Sequence, residues 1–519
     1  MQLRLWKWAW LPLVLLIAAK MKQVGGRNYL DLARTDNRLT RLPFFGGGVG
    51  HLLRYLHPLT MNPASERGRI SELRSDLDAN YVRYRGAQLW KLNFNATRGS
   101  SMAEREEEEE EEDAGEERQV VDSPDAQFNE VVALFGSEVW NINQDGIDIL
   151  IEQRNVADAR KFMEKVGFSY NIMIDDIESA IDETYVEVPA VEHPLDSVRN
   201  NSLPWMERPG SLMSWRRYHD QADIQQFLQT LLETYSENVE IIQIGVTRNK
   251  RPLEVIRVSN GNPDNWAVFV DAGLQARDWL SPAALTYAIS KLTHLWGRSK
   301  VKGQGQRAEK AMRRIDWYFL PLANPDGYQY SRHTDRLWTK NRAFDSESGC
   351  YGVNLDRNFE YGWGGTGSTS NPCKNLYRGA ESFSEPESRA LRSFLSGMRE
   401  YLGAYVSLGG YGQAITYPWG DADYVTENQR DLKLTARRAV LALRRLNQAE
   451  YSAGTSYRQK LARPGNSADW VQDRIGPQMV FNMFLKDQGR YGYLLPPHYI
   501  VESGEEVFEF MRTIAQQLQ

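Results

Sequence analysis

Asp271–Ala283 reads DAGLQARDWLSPA. The residues before it, WAVFV, are apolar and mostly β-branched or aromatic, as a strand prefers. Those after it, SPAALTYAISKLTHLW, place apolar side chains at helical spacing. The stretch is therefore a loop that leaves the end of a strand and enters a helix. Working outward, VEIIQIGV, LEVIRVS, WAVFVDA, DWYFLPLAN, AYVSLGG and VFNMFLK read as strands. QADIQQFLQTLLETY, LTARRAVLALRRLNQ and EEVFEFMRTIAQQL read as further helices. Strands separated by helices predict an α/β fold on a mixed, mainly buried sheet with helices on both faces. Function is then expected beyond the carboxyl ends of strands, where this loop lies.

The chain has 519 residues, 41% of them apolar, enough for two or three domains with substantial cores. A formal charge of -6 provides no global basic field, so nucleic acid is not an expected partner. Residues 1–19 carry Arg4 and Lys7, then WAWLPLVLLIAA, the build of a secretory signal peptide. A membrane anchor or a buried helix is the alternative, but the apolar run is short for a bilayer and no later run reaches spanning length. The two cysteines, Cys350 and Cys373, can pair once the chain is exported. Export would also make Asn95 and Asn200, each in an Asn-x-Ser/Thr triplet, candidate glycan sites.

Residues 20–79 are rich in Arg, Gly and Pro, include GGGVG at Gly46–Gly50, and show no sustained period. They read as a low-order insert. Residues 80–187 carry the signals of a small α/β unit: YRGAQLWKLNF and GIDILIEQ alternate as strands. Asn155 is placed to cap a helix that Gly167 ends. Within this unit, residues 104–118 hold the acidic tract Glu106–Glu112 with Asp113, whose self-repulsion predicts a solvated loop. A polar, proline-containing linker at 188–213 leads to the large domain, 214–519.

Five motifs in the large domain resemble, in order, those of the zinc metallocarboxypeptidases of the pancreatic carboxypeptidase A/B type. They are DAGLQARDWLSPA, LANPDGYQYSRHTDRLWTKNR at Leu322–Arg342, CYGVNLDRNF at Cys350–Phe359, VSLGGYGQAITYPWG at Val406–Gly420 and DQGRYGYLLP at Asp487–Pro496. Residues 80–187 are similar, more loosely, to that family's prosegment. The resemblance implies the family's mixed-sheet domain, a secreted chain with a prosegment, and a disulfide between Cys350 and Cys373.

In that family the loop after the strand supplies a histidine and a glutamate to zinc, and a second histidine ends another strand. The corresponding residues here are Gln275, Asp278 and Gly409. An amide is a poor zinc ligand, aspartate reaches about 1.5 Å less far than glutamate, and glycine supplies nothing. The family's general base, a glutamate, corresponds to Phe484, which cannot accept a proton. A one-residue shift would bring Met483 there, which serves no better. The seven histidines, His51, His57, His193, His219, His294, His333 and His498, contain no pair at helical ligand spacing and none falls at these positions. Without zinc, water keeps a pKa of roughly 15.7 rather than about 7. No cofactor is therefore expected, although the family's is zinc.

The substrate-holding positions differ less. Arg277, Arg336 and Arg357 match family arginines, Arg336 at the carbonyl-polarising position, and Tyr411 matches a substrate contact. Beside the clamp arginine the family's asparagine is Asp356, an acid that would repel a substrate carboxylate. Ala468 lies where the family's specificity pocket is lined. Leu461 stands at the position of the mobile tyrosine that caps substrates, with Tyr457 nearby.

The resemblance thus implies a secreted, catalytically inactive homologue that binds peptides or a protein partner in the old cleft. Two alternatives stay open: an active metallocarboxypeptidase with unusual ligands, releasing C-terminal residues, and a structural or carrier protein. No other catalytic motif competes. The linker adds a processing expectation, because a glycan at Asn200 would hinder tryptic cleavage at Arg199 and keep the prosegment attached. Arg208 precedes Pro209 and should be cut poorly. The sequence leaves the partner's identity and the oligomeric state open.

Overall fold

The computed structural model describes residues 81–93, 131, 134–143, 145–187, 213–297, 306–461 and 463–518. The expected signal peptide, the insert at 20–79, the acidic loop, Asn95 and the linker up to residue 212 with Arg199, Asn200 and Arg208 lie outside them. Among the described residues no helix is long and apolar enough to cross a membrane.

The described chain opens with strand β1 (Gln88–Asn93), β2 (Gly136–Ile142), β3 (Gly146–Ile151), helix α1 (Gln153–Val166), β4 (Tyr170–Ile174) and helix α2 (Ile177–Glu183). The four strands form an antiparallel sheet in the order β2-β3-β1-β4. Alternation along β1 and β3 decides what each face meets. Trp90, Leu92, Ile149 and Ile151 pack with Ala159 and Met163 of α1. Leu89 and Leu150 on the opposite face join Leu337, Tyr411, Tyr493 and Leu494 of the large domain. Helix α1 ends as expected, with Gly167 in the left-handed region at φ 67°. Its start is a correction: Glu152 is the N-cap, without a side-chain capping bond, and Asn155 lies inside the first turn. The chain is already helical two residues before Asn155, so that side chain has no cap to make.

The large domain continues with α3 (Gln221–Thr234), β5 (Val239–Val246), β6 (Pro252–Val258), β7 (Trp266–Ala272), α4 (Leu280–Gly297), α5 (Gln306–Met312), β8 (Ile315–Leu320) and α6 (Pro325–His333). Then come α7 (Pro386–Gly397), β9 (Leu402–Gly409), β10 (Ala414–Tyr417), α8 (Gln429–Asn447), β11 (Ser452–Thr455), α9 (Ser467–Arg474), β12 (Met479–Phe484) and α10 (Ile500–Gln517). Eight strands form one mixed sheet in the order β11-β10-β12-β9-β7-β8-β6-β5. Its central strands β8, β7, β9 and β12 run parallel, while β5, β6 and β10 enter antiparallel pairs. One face is covered by α3, α4, α8 and α10 through Phe227, Leu285, Leu443 and Phe510 among others. The other is covered by α7 and α9 through Leu391, Leu395, Trp470 and Val471. Both faces are dry, so the strands read as near-continuous apolar runs. Cys350 and Cys373 are joined by a disulfide with Cα atoms 5.2 Å apart.

Asp271, the penultimate residue of β7, is a buried acid whose carboxyl accepts from the Tyr405 hydroxyl and, at 2.8 Å, from Ser407 Oγ. Burial raises its pKa to about 7, against roughly 3.9 in an unfolded chain. The folded state therefore holds a proton that unfolding releases. Its stability contribution is complete below about pH 4 and is lost as the pH rises towards 7. Asp271→Asn, which mimics the protonated acid, is expected to flatten the fall of stability between pH 5 and 7 by about 1.4 kcal/mol per pH unit. Urea unfolding at several pH values measures this, and an unchanged slope would contradict it.

Candidate functional site

Three parallel strands set the site. Asp271 pairs with Ser407 and Ala272 with Leu408, while Met483 and Phe484 pair with Leu408 and Gly409. The carboxyl ends of β7, β9 and β12 thus lie side by side. The loop after β7 turns at Gly273, φ 71°, where a Cβ would press on Leu322 and Pro282 at 3.1 Å. The turn brings Gln275 and Asp278 over the strand ends. Gln275, Asp278, Gly409 and Phe484, distant in sequence, line one hollow together with Asp356 and Arg463. Its volume is about 20 Å³, room for roughly one water.

Gln275, Asp278, Asp356 and Arg463 at the hollow are already engaged. Gln275 accepts from the Tyr493 hydroxyl at 3.0 Å through Oε1, and its Nε2 lies 3.5 Å from Asp356 Oδ2. The Asp278 carboxylate accepts from Ser281 N at 3.1 Å, Ser281 Oγ at 2.7 Å and Gly410 N at 2.6 Å. It is fully buried and fastens the start of α4 to the end of β9. Burial pushes its pKa up, and the three donors pull it back. Phe484 packs with Ala414 and with Leu461, the residue at the capping-tyrosine position. Tyr457 is exposed.

Of the expected substrate-holding residues, Asp356 lines the hollow and Arg357 lines the neighbouring cavity. Arg357 Nη1 lies 2.7 Å from the Asp356 carbonyl and 3.3 Å from its Oδ2. Arg463, which sequence reasoning missed, donates to the same Oδ2 at 2.7 Å. A lone arginine in an irregular loop carries no spacing signal, so nothing local marks it. Arg336 is fully buried, stacked 3.6 Å from the centroid of Trp279, and donates to the carbonyls of Arg277 and Tyr493, both at 2.7 Å. Ala468, in the first turn of α9, is fully buried in the core and lines neither this hollow nor the neighbouring cavity.

The small sheet reaches the same cleft. Glu138 of β2 accepts from Arg277 Nη1 at 2.5 Å, and Asp148 of β3 accepts from the Tyr411 hydroxyl at 2.6 Å. Lys91 adds a bond to the Gln488 carbonyl at 3.1 Å, and Tyr84 one to Asp335 at 2.7 Å. Glu138 and Asp148 were not anticipated, although Asp148 is an acid within the otherwise apolar strand GIDILI, a pattern that marks a polar contact across a covered face, whereas Glu138 lies in the mixed strand GSEVWNI. Between the two domains lies a cavity of about 180 Å³, lined by Glu138, Trp140, Arg277, Arg357, Lys460 and Arg463 among others.

A mixed eight-stranded sheet with its site at the ends of three parallel strands defines a carboxypeptidase-like α/β fold. Residues 224–510, more than half of the chain, match the zinc carboxypeptidase family. The chain is 31% identical over 304 residues to carboxypeptidase B of Astacus astacus, covering 58% of this chain and 97% of that one. It is 32% identical over 329 residues to carboxypeptidase B2 of Bos taurus, covering 63% and 76%. The solved structure of thrombin-activatable fibrinolysis inhibitor superposes with a TM-score of 0.67 at 25% identity, over 84% of this chain and 99% of that one. Carboxypeptidase A from Helicoverpa armigera shares the fold with a TM-score of 0.64 at 22% identity, over 84% and 98%. The chain belongs to the zinc carboxypeptidase family.

Proposed function

We propose that this protein is a secreted, catalytically inactive member of the family that works by binding rather than by hydrolysis. One observation carries the reading: the Asp278 carboxylate is engaged by three donors of its own chain. The family's cofactor is zinc, and the donor set around the hollow does not fit it. The Gln275 amide is neutral and taken, Gly409 offers no atom, and Arg463 brings a positive charge to the place. Among the described residues no three His, Cys, Asp or Glu side chains come together as a metal site requires. Phe484 cannot take a proton from water, so the second half of the family's chemistry is missing as well.

Residues 80–187 serve as a prosegment that stays attached. Its acids occupy Arg277 and Tyr411, two of the residues that the resemblance assigns to substrate. The cavity between the domains is lined by Arg277, Arg357, Lys460 and Arg463, and after Glu138 pairs with Arg277 and Asp356 is shared by Arg357 and Arg463 an excess of positive charge remains. That balance suits the carboxylate end of a peptide, or a protein segment of similar charge. The experiment is a panel of peptides differing at the C-terminus, incubated with the chain before and after trypsin. The expected outcome is no release of C-terminal residues in either form, with binding detected by calorimetry. Release abolished by a chelator would establish an active enzyme instead, and absence of any binding would favour a structural role.

A further inference from the structure

We infer that Arg463 is a built-in cation that stands in for the metal, and that Asp356, Phe484 and Gly409 form its seat. The inference rests on the reading above that no zinc is held. Arg463 Nη1 lies 2.7 Å from Asp356 Oδ2, and its guanidinium carbon is 4.5 Å from the centroid of the Phe484 ring. An anion on one side and an aromatic face on the other make a guanidinium site, since both attract a cation as it leaves water. Gly409 completes it. A Cβ there would already lie 3.7 Å from the Phe484 ring and 4.0 Å from Arg463 Nη1. Any longer side chain at 409 would compete with both groups for the same space.

The charges that face this guanidinium are Asp356, the Arg357 that shares Asp356, and Asp278 across the hollow. Asp356 is buried, and Arg463 makes the shorter of its two arginine contacts, 2.7 Å against 3.3 Å. A buried carboxylate demands a counter-charge. The guanidinium supplies this positive charge without any metal. Phenylalanine at 484 and glycine at 409 are therefore more than losses of a base and a ligand, because they build the seat that the arginine occupies. Restoring only the family's four side chains would leave the guanidinium in the hollow and would offer it a new carboxylate at 484.

Two measurements test this. In the first, zinc affinity is read by chelator competition for the variant Gln275→His, Asp278→Glu, Gly409→His, Phe484→Glu, with and without Arg463→Ala. The five-fold variant is expected to bind roughly 10- to 100-fold more tightly, and equal affinities would overturn the inference. In the second, on the otherwise natural chain, Arg463→Ala is expected to lower Tm, Arg463→Lys to recover only part of the loss, and methylguanidinium to raise the Tm of Arg463→Ala alone. Should the restored variants fail to fold, this second measurement decides, and a Tm indifferent to Arg463→Ala and to methylguanidinium would overturn the inference. Zinc found in the natural chain would defeat the reading of inactivity itself. Equal affinities beside a zinc-free natural chain would defeat only the role of Arg463.

Discussion

Glu138→Ala is expected to destabilise the protein by about 3–5 kcal/mol, the usual result of leaving one member of a buried ion pair alone. Arg277 is only 4% exposed and lies 4.0 Å over the Tyr493 ring, with Trp140 at 5.6 Å. Its Nε already has no hydrogen-bond partner. Removing Glu138 leaves the guanidinium charged, desolvated and without its anion. Because Glu138 belongs to β2 of the small sheet and Arg277 to the large domain, the loss falls on their docking. Chemical denaturation should show the cost, and limited proteolysis should show faster cleavage within residues 81–187. The double variant Glu138→Ala, Arg277→Met should recover much of it, since the orphaned charge goes too. A loss under about 1 kcal/mol for Glu138→Ala would place the pair among weak surface contacts.

Arg336→Ala is expected to cost a similar amount, about 3–5 kcal/mol, for a different reason. The side chain is completely buried, and its fork spans the carbonyls of Arg277 and Tyr493, which belong to separate loops. Truncation would leave both carbonyls without that donor and open a void beside Trp279. Arg336→Lys should not rescue, because an ammonium is a point donor that cannot reproduce the planar fork. Thermal unfolding of both variants checks this. Native-like stability together with lost peptide binding would instead return Arg336 to the substrate-facing role suggested by its position in the family motif.

The eight-stranded sheet was largely legible because its strands are buried on both faces and stand out as apolar runs. Four-residue strands were not: AITY of β10 and SAGT of β11 are too short to show a period. Helix α6 also escaped, because PDGYQYSRH is polar and holds a glycine. Its start is fixed instead by Asn324, whose side chain accepts from Gly327 N. At the site, the resemblance to the family motifs singled out Gln275, Asp278, Gly409 and Phe484, which line one hollow. It could not tell what their side chains touch. That Asp278 fastens α4 to β9, that Leu461 packs on Phe484, and that Arg463 reaches Asp356 across 107 residues are tertiary facts. Local sequence carries no trace of them.

The central claim is that this carboxypeptidase frame holds no zinc, and metal analysis tests it most directly. The natural chain, purified without chelators, incubated with excess zinc and desalted, is to be measured by elemental mass spectrometry. The account predicts far less than one zinc per chain, the same before and after trypsin treatment. One tightly retained zinc per chain would contradict it.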